Sequence, residues 1–405
     1  MARPKSNIAG LLTPLLLLLT LQQVDEHAGI RDASAQSDGQ SRKTDKMEPK
    51  HDGLWEFPVV VPQLMTELSV QGISAPDPAN VWIVAREGDA RNIPHPIVLH
   101  SADEGKTWQK RRLDDGVFPF DIYFIDDHFG WIAGADGLIL RSTDAGTTWN
   151  RQHSPSDSHL MLLQFVDGQI GWIGGEDGEL LRTTDGGGRW QSCKLPGHGW
   201  VANEFRGWLN AFSFVGRLHG WFVGDRSKVF ETTDGGNTWR SRAPAIESVV
   251  RKNRDQILNL TDVHFFNERK GILLADVISA TAEGEYHQAL LLSTQDAGRS
   301  WRKMWALDRG PFKCLNFVSE SEGWMTTGFG RDLVHTTDGG RSWLGQDVPG
   351  VDSENLITGG LFALRMVGAK LGWASVSVND FPILDNVVHT IDGGRTWRRV
   401  KLEDR

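Results

Sequence analysis

The chain has 405 residues, of which 39% are hydrophobic and 23% charged, and its formal net charge is −9. These values exclude a wholly disordered chain. The negative charge, with no basic run of five or more residues, argues against nucleic acid or an anionic membrane surface as a partner. The two cysteines, Cys193 and Cys314, occupy non-equivalent positions, which favours free thiols over a disulfide.

Residues 1–35 have the features of a secretory signal peptide or of an uncleaved N-terminal anchor. Arg3 and Lys5 precede an apolar run from Ile8 to Leu21, which is shorter than the roughly 20 residues of a membrane span. Ala33 and Ala35 form a candidate cleavage site. Residues 36–53 are poor in apolar side chains and are predicted to be a disordered linker. We therefore expect export to the periplasm or the extracellular space, and an anchored form is the alternative.

Residues 54–405 contain seven copies of a motif, T-x-D-x-G-x-T-W, which we call the box. In every copy a glycine follows the aspartate by two residues and a tryptophan follows it by five. An aspartate carboxylate that accepts backbone N–H groups, with a glycine at positive φ, predicts a tight turn between two strands. Seven copies indicate a structural role rather than a catalytic one. The box aspartates are Asp103, Asp144, Asp185, Asp234, Asp296, Asp338 and Asp392.

The boxes recur every 41–62 residues, and the same strand signals precede each of them. In the second unit these are an apolar run at 122–125, a turn that ends in Gly130, a strand at 131–134 and a further strand at 138–141. No helical periodicity is evident. Four short antiparallel strands in each of seven units predict an all-β, seven-bladed β-propeller of four-stranded blades, with a box turn in every blade. Two segments are candidates for the strand that closes the ring: residues 55–61 and residues 396–401.

The long connections are all predicted on the face opposite the boxes, because the short turns and the box turns share the other face. Variable loops on one face of a rigid scaffold favour a binding surface. Trp200 and Trp208 lie in one such loop, and tryptophan is common in binding hot spots. The alternative is that both indoles plug the central channel. The long connections are Arg86–Pro96, Pro196–Trp208, Pro244–Ile257, Val277–Gln288, Gln346–Gly359 and Ser377–Asn386.

The boxes resemble the Asp-box, or bacterial neuraminidase repeat, of sialidases, other glycoside hydrolases and sortilin-like receptors. A sialidase would add an arginine triad, a Tyr/Glu pair and an R-I-P motif, but here Asn92 separates Arg91 from Ile93-Pro94. Tyr286 with Glu285 is the single defensible nucleophile pair. A secreted sialidase-like glycoside hydrolase with a glycan ligand is therefore the alternative function. The scattered histidines and the absence of a phosphate-binding loop predict neither a metal nor a cofactor.

A more specific resemblance comes from the DGG-x-[ST]-W form of the boxes and from a Gly-Trp pair 18 residues before the box tryptophan, as in Gly130-Trp131 and Trp149. These features are similar to those of the photosystem II stability/assembly factor family of seven-bladed propellers. The resemblance implies a lumenal or periplasmic, non-enzymatic scaffold that holds a protein client such as an assembling membrane-protein complex. We also expect a monomer. An arginine-rich patch that meets the client is also implied. The candidates for this patch are Arg86, Arg91, Arg206, Arg251 and Arg254.

Overall fold

The structure, a computed structural model, describes residues 68–88, 94–114, 116–195, 209–250, 256–281, 284–308, 312–327, 333–346, 348, 360–377 and 387–400. All of them belong to one compact unit, Val60–Arg405. The predicted signal segment, the linker and the candidate closing segment at 55–61 lie outside the described residues. Among the helices that the structure does describe, none is long and apolar enough to cross a membrane.

The described chain forms seven four-stranded antiparallel sheets, and each sheet takes its strands in sequence order. This confirms the predicted all-β, seven-bladed propeller. In blades 1 and 2 the strands are β1 (Leu68–Ser74), β2 (Val81–Gly88), β3 (Pro94–Ser101), β4 (Gln109–Arg112), β5 (Pro119–Phe124), β6 (Gly130–Gly134), β7 (Ile139–Ser142) and β8 (Asn150–Arg151). In blades 3 and 4 they are β9 (Leu160–Phe165), β10 (Gly171–Gly175), β11 (Leu180–Thr183), β12 (Gln191–Ser192), β13 (Leu209–Val215), β14 (His219–Gly224), β15 (Lys228–Thr232) and β16 (Arg240–Ser241).

The last three blades repeat the same order. Their strands are β17 (Ile257–Phe265), β18 (Gly271–Thr281), β19 (Gly284–Thr294), β20 (Arg302–Leu307), β21 (Phe312–Phe317), β22 (Gly323–Thr327), β23 (Leu333–Thr336), β24 (Leu344–Gln346), β25 (Gly360–Val367), β26 (Leu371–Ser377), β27 (Val387–Thr390) and β28 (Arg398–Arg399). A 3₁₀ turn, Glu176–Gly178, follows β10. The first strand of each blade is the innermost, and its register against the second strand shifts at a β-bulge.

The hydrophobic core consists of clusters that each join two neighbouring blades. Blade 2 shares one cluster with blade 3 through Trp131, Phe165 and Ile173. Blade 7 shares another with blade 1 through Trp373 and Val81, so side-chain packing closes the ring. Among the described strands, none is shared between these two blades. A blade therefore buries its apolar surface mainly against its neighbours, which is typical of propellers.

Two sequence predictions are wrong in the described residues. The insertion Pro244–Ile257 contains an α-helix, Ala243–Val250, although no helix was expected. Ile246 and Val250 are buried one helical turn apart, and eight residues are too few for a clear helical period. The insertion Val277–Gln288 is mainly strand, because β18 and β19 pair without a break from Gly271 to Thr281. It extends a hairpin rather than forming a loop.

Candidate functional site

The box of blade 4 shows how the turn between the third and fourth strands is held. Oδ1 of Asp234 accepts the Thr238 N–H at 2.9 Å and the Thr232 hydroxyl at 2.8 Å, and Oδ2 accepts the Thr238 hydroxyl at 2.6 Å. Oγ1 of Thr232 accepts the Gly236 N–H at 2.8 Å. Gly236 has a φ of 90°, which favours glycine. The polar groups of the box thus bond mainly to one another.

The same arrangement recurs in the other boxes, with one departure. Asp185 lacks the second hydroxyl donor because Arg189 stands where the other boxes have Ser or Thr. The backbone N–H and the hydroxyl of Thr148 lower the pKa of Asp144. Partial desolvation acts to raise the pKa of Asp103, but hydrogen bonds from Thr107 and Ser101 outweigh it and lower that pKa to about 2. The box aspartates are therefore ionised and already supplied with donors, which suits a turn better than a ligand site.

A tryptophan of the second strand connects each of several blades to the next box. The fully buried Trp131 donates from Nε1 to the Gly186 carbonyl of blade 3 at 3.1 Å, and its ring lies 3.5 Å from that of Phe165. The equivalent bonds join Trp82 to Ala145, Trp221 to Ala297 and Trp324 to Gly393, each at 3.1 Å. This contact explains why the box and the Gly-Trp pair recur together.

Blade 5 lacks this tryptophan and has Ile272 in its place. A groove of about 110 Å³ lies there, lined by Ile272, Ser293 and Gly339 among others. Ser293 stands at the position where His100 and His335 stack on the tryptophans of their own blades. Gly339 is equivalent to Gly393, whose carbonyl accepts an indole N–H. The groove therefore occupies the space of the missing indole.

The seven inner strands enclose a central channel of about 740 Å³. Each blade contributes one polar side chain at an equivalent position, and we call this set the channel ring. Five members bond to the backbone of the next blade: Ser74, Gln164, Ser213 and Asn316 accept an N–H, and Tyr123 donates its hydroxyl to the Phe165 carbonyl. The members are Ser74, Tyr123, Gln164, Ser213, His264, Asn316 and Arg365.

Two carboxyl groups, which we call the channel aspartates, directly follow the bulges of β5 and β17. Asp121 accepts the N–H of Ile122 and that of Leu163 in blade 3, both at 2.9 Å. Asp262 accepts the N–H of Val263 and that of Leu315 in blade 6, both at 2.7 Å. Desolvation in the channel wall outweighs these bonds and raises the pKa of each carboxyl to about 7. Each channel aspartate thus links two blades, and its pKa lies close to neutral pH.

Arg365 is the one arginine among the described residues that line the channel. Desolvation chiefly sets the pKa of His264, which it lowers to about 4, and the charge of Arg365 lowers it further. Arg365 also opposes the desolvation that raises the pKa of Asp121 and of Tyr123. Its positive charge therefore acts on blades 2 and 5 from its position in blade 7.

Most residues of the predicted client interface fall outside the part of the chain that the structure describes. Arg91, Trp200, Arg206, Trp208, Arg251 and Arg254 lie outside the described residues. Arg86 is described near the end of β2, where it is partly buried; its Nε has no hydrogen-bond partner in the described chain. Burial lowers the pKa of Arg86. Whether these residues form one patch stays a prediction, as does the alternative in which Trp200 and Trp208 plug the channel.

Tyr286, the tyrosine of the predicted nucleophile pair, lies away from the channel. Tyr286 lies in the extended β19, is 41% exposed, and does not line the described channel wall. Desolvation and a hydrogen bond with Asp308 raise the pKa of Tyr286. Tyr123 lines the channel, but its hydroxyl donates to the Phe165 carbonyl at 2.9 Å. The described lining offers one arginine rather than the three of a sialidase.

The turn between β5 and β6 brings together three potential metal ligands that sequence spacing did not reveal, Asp126, Asp127 and His128. All three are exposed. Oδ1 of Asp126 accepts the N–H groups of His128 and Phe129, and His128 Nδ1 lies 2.6 Å from Asp127 Oδ1. These contacts account for the cluster as part of a turn.

Comparison with known proteins decides the family. The family described as photosynthesis system II assembly factor YCF48 matches residues 107–201 and 199–311, which together make up half of the chain. The chain belongs to this family. A comparison with curated proteins found no match.

Similar solved structures include two YCF48 propellers. YCF48 bound to D1 peptide is 17% identical with a TM-score of 0.56, covering 82% of this chain and 95% of its own. YCF48 from Cyanidioschyzon merolae is 16% identical with a TM-score of 0.54, covering 82% and 98%. The WD40 propeller domain of Doa1 is 13% identical with a TM-score of 0.51, covering 81% and 95%. At these identities the likeness shows the propeller fold.

Proposed function

We propose that this protein is a non-enzymatic scaffold that binds a peptide segment of a protein client during assembly of photosystem II or a related membrane-protein complex. The family match over residues 107–201 and 199–311 carries this proposal. A YCF48 structure of the same fold is described as bound to D1 peptide, which supports a peptide segment as the ligand. The box turns, whose polar groups bond to one another, favour a scaffold role.

The proposed client surface is the face opposite the boxes. Arg86 lies near the end of β2 on the side where the chain leaves toward a long connection. Because its Nε is buried, we expect the terminal guanidinium nitrogens of Arg86 to be the donors offered to a carboxylate or a backbone carbonyl of the client. The other proposed members are Arg91, Trp200, Arg206, Trp208, Arg251 and Arg254.

A fluorescence anisotropy titration with a labelled D1 peptide tests the proposal. We expect binding by the wild-type protein and at least about tenfold weaker binding when Arg206, Arg251 and Arg254 are changed to Glu, because arginine contacts are often hot spots. Arg240→Glu, a change at an exposed arginine on β16, is the matched control and should leave affinity unchanged. Absence of binding by the wild-type protein, or equal losses in test and control variants, would contradict the proposal.

Export to the lumen or periplasm, in monomeric form, completes the proposed role. The basic residues Arg3 and Lys5 and the apolar run Ile8–Leu21 support export. Cell fractionation with a C-terminal tag should place the protein outside the cytoplasm, and deletion of residues 1–35 should retain it inside. Light scattering of the exported form should give the mass of one chain.

A further inference from the structure

We propose that the central channel contains an oxyanion-binding site, formed by the guanidinium of Arg365 and the side-chain amide of Asn316, that takes a carboxylate. This site is separate from the proposed client surface and does not rest on the proposed function. Arg365 and Asn316 occupy equivalent channel-ring positions of the neighbouring blades 7 and 6, opposite Trp373 and Trp324 of their own second strands. Both are partly buried and both line the 740 Å³ channel.

The orientation of the Asn316 amide follows from its bond to the backbone. Oδ1 of Asn316 accepts the N–H of Met366 at 3.2 Å, so the oxygen faces blade 7 and the NH2 group is left as the free end. Gln164 across the channel is oriented in the same way, because its Oε1 accepts the Phe214 N–H at 3.1 Å. Within the described chain, neither NH2 group has a hydrogen-bond partner. The channel wall therefore presents amide donors whose acceptor ends are already used.

Arg365 supplies the charge of the site. Within the described chain it makes neither a hydrogen bond nor an ion pair, although its field reaches Asp121, Tyr123 and His264. An arginine guanidinium offers a planar pair of donors that matches a carboxylate, and such charge-assisted bonds strengthen where water is partly excluded. Arg365 thus brings a positive charge without an ion-pair partner to a cavity that also holds the oriented amide donor of Asn316. An oxyanion completes such an arrangement.

The acidic groups nearby form no ion pair with Arg365 within the described chain, although its charge acts on Asp121. Both oxygens of Asp121 and of Asp262 accept a backbone N–H group of the channel wall, so each carboxyl is already held there by two hydrogen bonds. Among the other channel-ring members, Ser74, Tyr123 and Ser213 bond to the backbone of the next blade. Among the channel-ring members, the groups left without a hydrogen-bond partner thus include the two amide NH2 groups and the Arg365 guanidinium, which favours an anion over a cation as ligand.

The test uses acetate as the probe with the full-length protein, at constant ionic strength and at a pH below 7, where the channel aspartates are mainly protonated. Apparent affinity is obtained from the rise in melting temperature with acetate concentration. We expect the wild-type protein to bind acetate and Arg365→Gln to bind it about 10- to 100-fold more weakly, as expected for one lost charged hydrogen-bond pair. Arg240→Gln, on the outer strand β16, is the control and should bind as the wild type does.

A second variant keeps the test decisive if Arg365→Gln alters folding. Asn316→Asp retains an acceptor for the Met366 N–H but replaces the amide donor with a negative charge beside Arg365. Loss of acetate binding in this variant, with an unchanged circular dichroism spectrum, supports the site. Equal acetate affinity in the wild-type, Arg365→Gln and Asn316→Asp proteins overturns the proposal, and so does a wild-type protein that shows no acetate-dependent shift.

The source of the carboxylate is distinguished by two further probes, N-acetyl-trialanine as its free acid and as its C-terminal amide. Tighter binding of the acid than of acetate, with no binding of the amide, identifies a peptide C-terminus as the ligand. Acetate and the acid binding equally identifies a small free carboxylate. Equal binding of the acid and the amide would show that the carboxylate is not recognised and would overturn the proposal.

Discussion

The box aspartates and the channel aspartates have the same side chain and similar hydrogen bonds, but their pKa values move in opposite directions. Asp103 at the outer edge of the ring accepts bonds from Thr107 and Ser101, and its pKa is lowered to about 2. Asp121 in the channel wall accepts two backbone N–H groups, and its pKa is raised to about 7. Asp103 has three donors and Asp121 two. The other part of the difference comes from hydration, because the box carboxylates are more open to water than the carboxyls set between two blades in the channel wall.

This difference separates two ways of holding a propeller together. A box closes one turn within one blade, and its side-chain hydrogen bonds link residues at most four positions apart. A channel aspartate links two blades, because Asp121 bonds to Leu163 and Asp262 bonds to Leu315. Loss of a box should therefore weaken one turn, whereas loss of a channel aspartate should weaken a junction between blades.

The largest effect is expected at the tryptophan that attaches one blade to the next box. Trp131→Ala removes the buried ring that stacks on Phe165 and the bond to the Gly186 carbonyl, and it should lower the free energy of unfolding by about 3–5 kcal/mol. Trp131→Phe keeps an aromatic ring but not the donor, and should cost about 1 kcal/mol. Urea denaturation measures both. If Trp131→Ala lowers the free energy of unfolding no more than Trp131→Phe does, the junction between blades 2 and 3 does not depend on this contact.

Removal of a channel aspartate should have the next largest effect. Asp121→Ala leaves the N–H groups of Ile122 and Leu163 without their acceptor, which should cost about 2–4 kcal/mol. The matched control is Asp127→Ala, in the exposed turn of the same blade, which should change stability by less than about 0.5 kcal/mol. Comparable losses in the two variants, measured by urea denaturation, would mean that Asp121 does not join the blades.

A box aspartate should matter less than a channel aspartate. Asp234→Ala removes the acceptor of the Thr238 N–H and of two hydroxyls, and should cost about 1–3 kcal/mol because water can replace part of the lost bonding. Thermal unfolding of this variant beside Asp121→Ala ranks the two sites. Unchanged stability together with lost peptide binding would instead assign the box a role in ligand recognition.

The two sets should also respond oppositely to pH. A channel aspartate has a folded pKa of about 7 above its unfolded value, so it stabilises the fold at low pH and loses that contribution as pH rises from about 4 to about 7. The box aspartates have lowered pKa values, so their contribution is lost as pH falls below about 4. His264, whose pKa is lowered to about 4, opposes the channel aspartates in that window.

Comparing the stability of the wild-type protein with that of an Asp121→Asn/Asp262→Asn variant isolates the channel aspartates, because the contribution of His264 is present in both proteins and cancels. We expect the stability of the wild type relative to this variant to decrease as pH rises from about 4 to about 7. Urea midpoints at several pH values give this difference. A difference that stays constant would mean that neither carboxyl titrates in the folded protein within this range.

The smallest effect, and a gain, is expected at the junction without a tryptophan. Ile272→Trp should fill the groove of about 110 Å³ beside Ser293 and Gly339 and raise the free energy of unfolding by about 1 kcal/mol. Ile132→Trp, at a fully buried position with no such groove, is the control and should destabilise by overpacking. Destabilisation by Ile272→Trp as well would show that the groove does not match an indole.

The repeated features of the fold were accessible from the sequence, and the features that occur once were not. Box spacing and strand alternation were enough to predict seven four-stranded blades, because each signal appears several times. The helix Ala243–Val250 was missed because eight residues show little period. The hairpin of β18 and β19 was read as a loop because it exceeds the length of the equivalent strands in other blades.

The channel residues could not be found in the same way. Asp121 and Asp262 occur in two inner strands of seven, and Arg365 in one, so no repeat points to them. Their place in one channel wall depends on the bulge that sets the register of β5 and β17 and on the closure of the ring, which brings the inner strands of all seven blades around the channel. The available signal was a charged residue within an apolar inner strand. The predicted client interface was placed on one face because the long connections lie there, and it stays a prediction.

Ile272 makes the seven junctions of the ring unequal. At the junction of blades 5 and 6, no indole N–H is present to reach the Gly339 carbonyl, and a groove replaces the aromatic stack. Brief separations of neighbouring blades should then concentrate at this junction, and amide protons of β18 and β23 should exchange with solvent sooner than those of β6 and β11. Because one blade junction is weaker than the others, the ring can open there first. Access to the central channel then does not require all seven junctions to separate.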